Sequence, residues 1–240
     1  MSSNGSSSGA PALSVIVPAF NEERLLEASI RALRATLDEI KVPAEIIVVD
    51  DGSRDRTGAI ADLLAQNLPE VRACHQSNRG IGGAFLSGSR LASGEYIMLW
   101  PADMAATPDD FAPYVAEFGH ADVIVGCRSQ RVGYNPLMRL NAWVYPRLVA
   151  LLFGLRVRDV NWIHAYRRSA FLSIRLDQTG IPMLAEALVR LRDAKATFAE
   201  VDVVMKPRLH GIASASRPSV MWRTLAGLLS LWQTWRREKH

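Results

Sequence analysis

The chain has 240 residues, with 28 Lys+Arg against 24 Asp+Glu, a formal net charge of +4 at neutral pH and 49% hydrophobic residues, enough to fill one large core. Its pI near 9.3 suits a protein that handles phosphates or rests on an anionic surface. No helix-turn-helix, zinc-finger or aromatic RNA-binding signature is present, so nucleic acid is not an expected partner.

The chain begins MSSNGSSSGAPA, with neither a basic start nor an apolar centre, which predicts a flexible leader over residues 1–12 rather than a signal peptide. A first strand is predicted over 13–17, closed by Pro18. Asn21 then stands as a helix cap with Glu22 and Glu23 in the first turn. Leu26, Ile30, Leu33, Leu37 and Ile40 recur at the spacing of one buried helical face, and Val42-Pro43 ends that helix. The run EIIVVD over 45–50 shows little alternation, as expected for a parallel strand covered on both faces. DGSRDRT follows as a turn and helix entry.

A helix over 57–68, a strand near 71–74, the glycine-rich NRGIGGA opening a helix that reaches 93, and a strand over 96–100 come next. A strand is expected over 122–126, after which 128–158 loses its regularity and is rich in arginine, aromatics and leucine. MLAEALVRLRDA reads as a helix and 199–204 as a last strand. From 219 onward, Arg223, Gly227, Ser230, Thr234 and Arg237 share one helical stripe, with Trp222, Leu225, Leu229 and Trp232 opposite, the pattern of an amphipathic helix. The apolar runs, such as LVALLFGL over 148–155, fall short of the roughly 20 residues a membrane-spanning helix needs. Cys74 and Cys127 lie in apolar, strand-like stretches and read as small buried hydrophobes, compatible with a reducing cytoplasm.

Strands alternating with helices predict an α/β fold: an open, mostly parallel, Rossmann-like sheet flanked by helices, with ligands at the carboxyl ends of its strands. Those ends hold Asp50, Asp51 and Asp103. Two adjacent aspartates followed by Gly-Ser, as in VVDDGSRDRT, suit a nucleotide because carboxylates accept from base N–H or ribose hydroxyls; the alternative is a solvated Asp-Gly turn. RGIGGA follows the third strand with the wrong glycine spacing for a dinucleotide fingerprint, which argues against a dehydrogenase.

Together VIVPAFNEE, EIIVVDDGSRDRT and the strand ending PAD resemble the inverting family 2 glycosyltransferases, whose nucleotide-binding fold is called GT-A. The later VGCRSQR, DVNWIHAYRRSAF and EVDVVMKPRLHGIAS are similar to elements of its polyprenyl-phosphate sugar synthase branch, the dolichol-phosphate mannose synthase-like enzymes. The resemblance implies a GT-A domain over 13–215 and leaves 216–240 as a helical tail.

It further implies that Pro18, Asn21, Glu22, Asp50 or Asp51, Asn78 and Gly80 surround the nucleotide, and that Asp103 lies at the diphosphate. Arg128, Arg131, Arg139, Arg208 and His210 match the region that grips phosphates, where a planar guanidinium donates bidentately. The family usually ends the fourth strand Asp-x-Asp, a pair that shares a divalent metal. Here Pro101 occupies the first acid position and Ala105 replaces a glutamine of some relatives, so Asp103 alone remains as metal ligand. Mg²⁺ or Mn²⁺ is still expected, since such an ion often takes one or two carboxylates plus substrate phosphates. A metal-free site neutralised by arginines and a catalytically silent relative are the alternatives.

Glu186 lies where many relatives carry an acid facing the active site, the alternative being an exposed helical glutamate, and Asp159 is a second acid of this kind. Asp103, Glu186 and Arg128 are therefore the implied catalytic residues. Trp162-Ile163-His164 departs from the glycine-aromatic pair of relatives, which points to an unusual acceptor pocket, while Arg167 and Arg168 read as surface or helix-cap charges. The implied function is transfer of a sugar from a nucleotide-sugar, with inversion, to a polyprenyl-phosphate acceptor at the cytoplasmic face of a membrane, which the tail would touch. A soluble sugar or natural-product acceptor is the alternative, and a homo-oligomer is left open.

Overall fold

The computed structural model describes residues 10–103, 106–130, 134, 136–178, 180–204 and 218–239. In chain order the elements are β1 (Leu13–Ala19), α1 (Leu26–Glu39), β2 (Ala44–Asp50), α2 (Thr57–Asn67), β3 (Val71–His75), α3 (Gly80–Leu91), β4 (Tyr96–Leu99) and α4 (Pro108–Val115). They continue with β5 (Val123–Gln130), α5 (Pro136–Phe153), β6 (His164–Arg167), α6 (Arg168–Ser173), α7 (Pro182–Asp193), β7 (Phe198–Val204) and α8 (Pro218–Lys239).

The seven strands form one sheet in the order β3-β2-β1-β4-β6-β5-β7. β1 pairs in parallel with β2 and β4, β2 with β3, and β5 with β7, whereas β6 runs antiparallel between β4 and β5. The expected α/β sheet flanked by helices is therefore present, with one reversed strand in its second half. The chain moves to β2 on one side of β1 and to β4 on the other, so the strand order reverses between β1 and β4, the place where open α/β sheets gather ligands at the carboxyl ends of their strands.

Both faces of the sheet are covered, which explains the near-continuous apolar strands. Val15, Val17, Ile46, Val48, Tyr96 and Met98 enter the core under α1, α2 and α4, while Ile16, Ile47, Val49, Ile97 and Leu99 enter the core under α3, α5, α7 and α8. Successive residues of a strand point to opposite faces, so the central strands β1, β2 and β4 are buried on both, whereas the edge strands β3 and β7 keep exposed positions.

Three local readings change. β5 runs to Gln130 rather than ending at 126, because β7 continues to pair with it through Arg128. The arginine-rich stretch holds an 18-residue helix, α5, which carries Pro146 inside it; its apolar residues serve the core and the surface alike, so no simple stripe is visible. α8 exists, but Thr224, Leu228 and Leu231 form its buried line, whereas Trp222 and Leu229 of the expected apolar face are exposed. The docking of α8 on α7 selects that face: a Cβ at Gly227 would stand 2.5 Å from Pro182 Cγ at the start of α7.

α3 meets the sheet with similar closeness, since a Cβ at Gly88 would stand 2.5 Å from Ile16 Cγ2. Gly88→Ala should therefore force helix and strand apart and cost about 1–3 kcal/mol, read as a lower urea midpoint with an unchanged slope. An unchanged midpoint would show that α3 can retreat without loss.

Candidate functional site

The carboxyl ends of β1, β2 and β3 are tied into one rim. Asp50 and Asp51 are adjacent in sequence, yet they serve opposite faces. Asp50 Oδ1 accepts from Ser53 N at 3.0 Å, and Oδ2 lies 3.1 Å from His75 Nδ1. Asp51 accepts from the Gln76 side-chain amide at 2.6 Å and from the backbone N–H of Arg79 and Gly80 at 2.8 Å each, a carboxylate at the N-terminus of α3. The twin acid of the sequence is thus divided between two jobs, each holding neighbouring loops together.

Gly52, between them and Ser53, has φ +76°, and a Cβ there would lie 2.8 Å from Asn78 N, so the turn requires glycine. Asn21, expected to cap the first helix, does something else. α1 starts at Leu26, and Asn21 takes φ 56° with its Oδ1 accepting from Arg54 N at 2.9 Å while its own N–H donates to Ser53 Oγ at 3.0 Å. The next N–H, of Glu22, donates to Thr57 Oγ1 at 2.8 Å. Pro18 lies within β1 beside Val49 of β2. The structure therefore brings Asn21, Glu22, Asp50, Asp51, Asn78 and Gly80 to one edge, with both aspartates almost wholly buried.

His75 bridges this rim to α2, with Nε2 2.9 Å from Asp62 Oδ1 as well as Nδ1 facing Asp50. The hydrogen bonds to Asp62 and then to Asp50 raise its pKa above the ordinary imidazole value. Burial pushes the Asp50 carboxyl up, but the bonds from Ser53 and His75 outweigh it and hold the group below its ordinary value.

The second half of the rim is built by β4, β5 and the lead-in to β6. The Trp100 N–H donates to Ile16 O at 2.9 Å, and the chain then turns through Pro101 and Ala102 to the half-buried Asp103. Because β6 is antiparallel, residues 159–163 arrive beside the ends of β4 and β5. There Arg128 and Asp159 form a bidentate ion pair, Nε to Oδ2 at 2.7 Å and Nη2 to Oδ1 at 2.8 Å, with both side chains buried. The Tyr134 hydroxyl accepts from Arg128 Nη1, and the guanidinium lies over the Trp162 ring, 4.8 Å from its centroid. Burial disfavours the charge on Arg128, but Asp159 outweighs this and raises its pKa above the ordinary guanidinium value.

This pair stands at the wall of a cavity of about 310 Å³ lined also by Leu99, Pro101, Tyr145, Ile181, Met183 and Thr224. His164 belongs to the same lining, and it is fully enclosed. Burial lowers its pKa, and its Nε2 lies 3.0 Å from the Val160 carbonyl.

Glu186 departs from both readings of the sequence. It is neither an exposed helical glutamate nor an acid presented to a substrate: its carboxylate is wholly buried, accepting from Asp177 N at 3.1 Å, Gln178 N at 2.8 Å and Arg190 Nε at 2.8 Å. It anchors the loop that leads into α7, and α7 in turn lines the cavity through Met183 and Leu184. Arg139 is exposed, donating to Tyr134 O at 3.3 Å. Arg167 pairs with Asp122 at 2.9 Å and Arg168 donates to Gly94 O at 3.0 Å, both at the opposite end of β4 from Asp103. Ala105, Arg131, Arg208 and His210 lie outside the described residues. Cys127 is buried and burial pushes its thiol up to about 11, while Cys74 is half-buried; both are free thiols. Tyr134, Tyr145, Asn161 and Tyr166 were not singled out from sequence, since nothing local separates a tyrosine facing a cavity from one facing a core.

Residues 14–175 match the profile of Glycosyl transferase family 2, and the chain belongs to that family. It is 27% identical over 205 residues to an undecaprenyl-phosphate 4-deoxy-4-formamido-L-arabinose transferase of Pseudomonas fluorescens, covering 83% of this chain and 58% of the relative. It is 29% identical over 174 residues to an undecaprenyl-phosphate mannosyltransferase of Micrococcus luteus, covering 68% and 69%. Glycosyltransferase AglD of Haloferax volcanii is 32% identical over 82% of this chain, which spans 33% of that relative. The chain thus spans between a third and about two thirds of these relatives. Among solved structures, glucosyl-3-phosphoglycerate synthase of Mycobacterium tuberculosis, crystallised with Mn²⁺, UDP and glucosyl-3-phosphoglycerate, superposes with a TM-score of 0.72 at 20% identity, covering 93% of this chain and 80% of that one. The same enzyme has been crystallised with Mg²⁺ and UDP. The shared architecture is the GT-A fold.

Two outcomes follow from the rim. Because the folded state binds the His75 proton more tightly than the unfolded chain, the stabilisation is fully present below about pH 6.5 and is lost as pH rises through the elevated folded value. Urea midpoints should therefore fall between pH 6 and pH 8, and His75→Gln should flatten that fall; an equal fall in the variant would exclude His75. Asp159→Ala should cost about 3–5 kcal/mol, because it strands a buried guanidinium, measured by the same titration.

Proposed function

We propose that this chain transfers a sugar from a nucleotide-sugar, with inversion, to a polyprenyl-phosphate acceptor. The observation that carries the reading is the reversal of strand order between β1 and β4, with the tied Asn21–Glu22 and Asp50–Gly80 loops at the ends of β1 and β2 and with Asp103 and the Arg128–Asp159 pair at the ends of β4 and β5. Two of the relatives are named as undecaprenyl-phosphate sugar transferases, which supports a lipid-linked phosphate as acceptor.

In this reading Asn21, Glu22, Asn78 and Gly80 face the nucleoside, and Asp50 and Asp51 keep those loops in place. The acceptor oxygen enters opposite the departing diphosphate, so the protein's contribution is alignment and stabilisation of the charge that leaves. A phosphate acceptor is already anionic and needs no general base. That agrees with Glu186 and Asp159 both being held in internal pairs. Arg128 keeps N–H donors beyond those given to Asp159 and Tyr134, and with Arg131, Arg139, Arg208 and His210 it forms the proposed phosphate grip.

Among the described residues no group of three His, Cys, Asp or Glu side chains could hold a metal. Among the described residues the donor set at the end of β4 is the Asp103 carboxylate, which fits a cation that keeps waters and takes phosphate oxygens rather than one caged by protein. Asp103 would hold such a Mg²⁺ or Mn²⁺ ion, and the chemistry it supplies is neutralisation of the leaving diphosphate.

No helix among the described residues is long and apolar enough to cross a membrane. The proposed contact with the inner face is instead peripheral, through the exposed Trp222 and Leu229 of α8 with Arg223, Arg236 and Arg237, and through Leu140 and Trp143 of α5.

Nucleoside diphosphate release should be followed with a panel of UDP-, GDP- and TDP-sugars, with undecaprenyl phosphate or soluble sugars as acceptor and with or without EDTA. Release that depends on the lipid phosphate supports the reading, and release only with soluble sugars replaces the acceptor. Asp103→Ala should lower turnover at least a hundredfold, on the order of 3 kcal/mol in the barrier, while the variant still unfolds in one cooperative urea transition. Unchanged turnover would remove Asp103 from the site.

A further inference from the structure

His75 ends β3, and an acid engages each of its ring nitrogens: Nδ1 lies 3.1 Å from Asp50 Oδ2 and Nε2 lies 2.9 Å from Asp62 Oδ1. An ionised carboxylate only accepts, and a neutral imidazole carries one N–H. Both contacts are satisfied together only by the doubly protonated ring. Among the described residues, Asp50 of β2 and Asp62 of α2 are the charged groups that face it, whereas Asp51 turns away to the start of α3.

The two acids lead to the same loop by different routes. Asp50 Oδ1 accepts from the Ser53 N–H at 3.0 Å, and Ser53 Oγ accepts from the Asn21 N–H at 3.0 Å. Asp62 belongs to α2, whose first residue, Thr57, accepts from the Glu22 N–H through Oγ1 at 2.8 Å. The first turn of α2 sits directly on the Asp50–His75 contact, since a Cβ at Gly58 would stand 2.8 Å from Asp50 Oδ2 and 3.4 Å from the imidazole. The contacts from His75 through Ser53 to Asn21, and from Glu22 through Thr57 and α2 back to His75, thus close a circuit around the loops that follow β1 and β2.

We propose that His75 is a positioning residue for nucleotide binding: its imidazolium closes this circuit, and a nucleoside diphosphate binds more tightly when the circuit is closed. That role rests on the reading in which Asn21 and Glu22 face the nucleoside, and it makes donor affinity depend on pH. Loss of the proton leaves one N–H between two acceptors, so one contact becomes a lone pair facing a lone pair and opens. Asp62 is the side that gives way, because its side chain is 54% exposed and can turn to water, whereas that of Asp50 is 11% exposed and confined. α2 then loses its tie to β3, and with it the support of Thr57 under Glu22. The hydrogen bonds to Asp62 and then to Asp50 hold the imidazole pKa above its ordinary value. The circuit is therefore complete below about pH 6.5 and opens as pH rises through the elevated value.

Calorimetry with UDP and GDP at about pH 6 and about pH 8 tests this on the folded parent, His75→Gln and Asp62→Ala. Parent affinity should fall across that range about fivefold more than the affinity of His75→Gln, whose amide takes up no proton. Titration of the ligand's own phosphate is common to both proteins and drops out of the comparison. Asp62→Ala should bind about fivefold more weakly than the parent at the lower pH and match it at the higher one. A role in stability alone would move Tm and leave the affinities of the folded proteins unchanged. In the ligand-free parent, hydrogen-exchange protection of the Glu22 amide, corrected for the intrinsic pH dependence of exchange, should fall over the same range, and in His75→Gln it should stay level.

Equal pH profiles for the parent and His75→Gln would overturn the role of His75, as would Glu22 protection that ignores pH. Protection that responds in a parent that binds neither UDP nor GDP would support the circuit and overturn the nucleotide reading instead.

Discussion

The half of the rim built by β4, β5 and the lead-in to β6 depends on the buried Arg128–Asp159 pair. Arg128 ends the well-paired part of β5, and Asp159 belongs to the segment that leads into β6, 31 residues later. Their bidentate contact closes the loop between those strands, with α5 between them in the chain. A buried ion pair of this kind adds little net stability compared with an apolar replacement, but losing one partner is costly. The contact therefore acts mainly as a constraint on geometry. It fixes Trp162, Asn161 and His164 beside the end of β4, and so creates the cavity.

The first half of the face follows another logic. Asp50 and Asp51 look from their spacing like a pair of ligands. A strand sends successive side chains to opposite faces, and beyond the end of β2 the two carboxylates continue to diverge, one to Ser53 and His75, the other to the start of α3. Each carboxylate thus holds a loop in place, the one after β2 and the one before α3. Asn21 belongs to the same network, its left-handed backbone and its side chain joining the loop after β1 to the loop after β2. Glu186 plays the corresponding part on the far side, holding the approach to α7.

Both halves keep some buried polar atoms without partners among the described residues: the Gln76 Oε1 beside Asp51, and Tyr145 Oη, Asn161 Oδ1, His164 Nδ1 and Tyr166 Oη near the Arg128–Asp159 pair. The match to Glycosyl transferase family 2 runs over residues 14–175 and so takes in both halves of the rim.

By itself the sequence determined the alternation of strands and helices, the apolar strands covered on both faces, and the clustering of Asn21, Asp50, Asp51 and Asp103 at one edge, because these depend on local periodicity and on where strands end. It also carried the motifs that mark the family. Only the tertiary structure decided that Asp50 and Asp51 part company, that Arg128 finds Asp159, that Glu186 turns inward and that α8 buries Thr224, Leu228 and Leu231 while Trp222 stays outside. The four residues of β6 were invisible as a strand for the same reason: so short a run has no period of its own, and its direction comes from pairing with β4 and β5. A side chain's partner many residues away is set by the packing of whole elements, which no local spacing records.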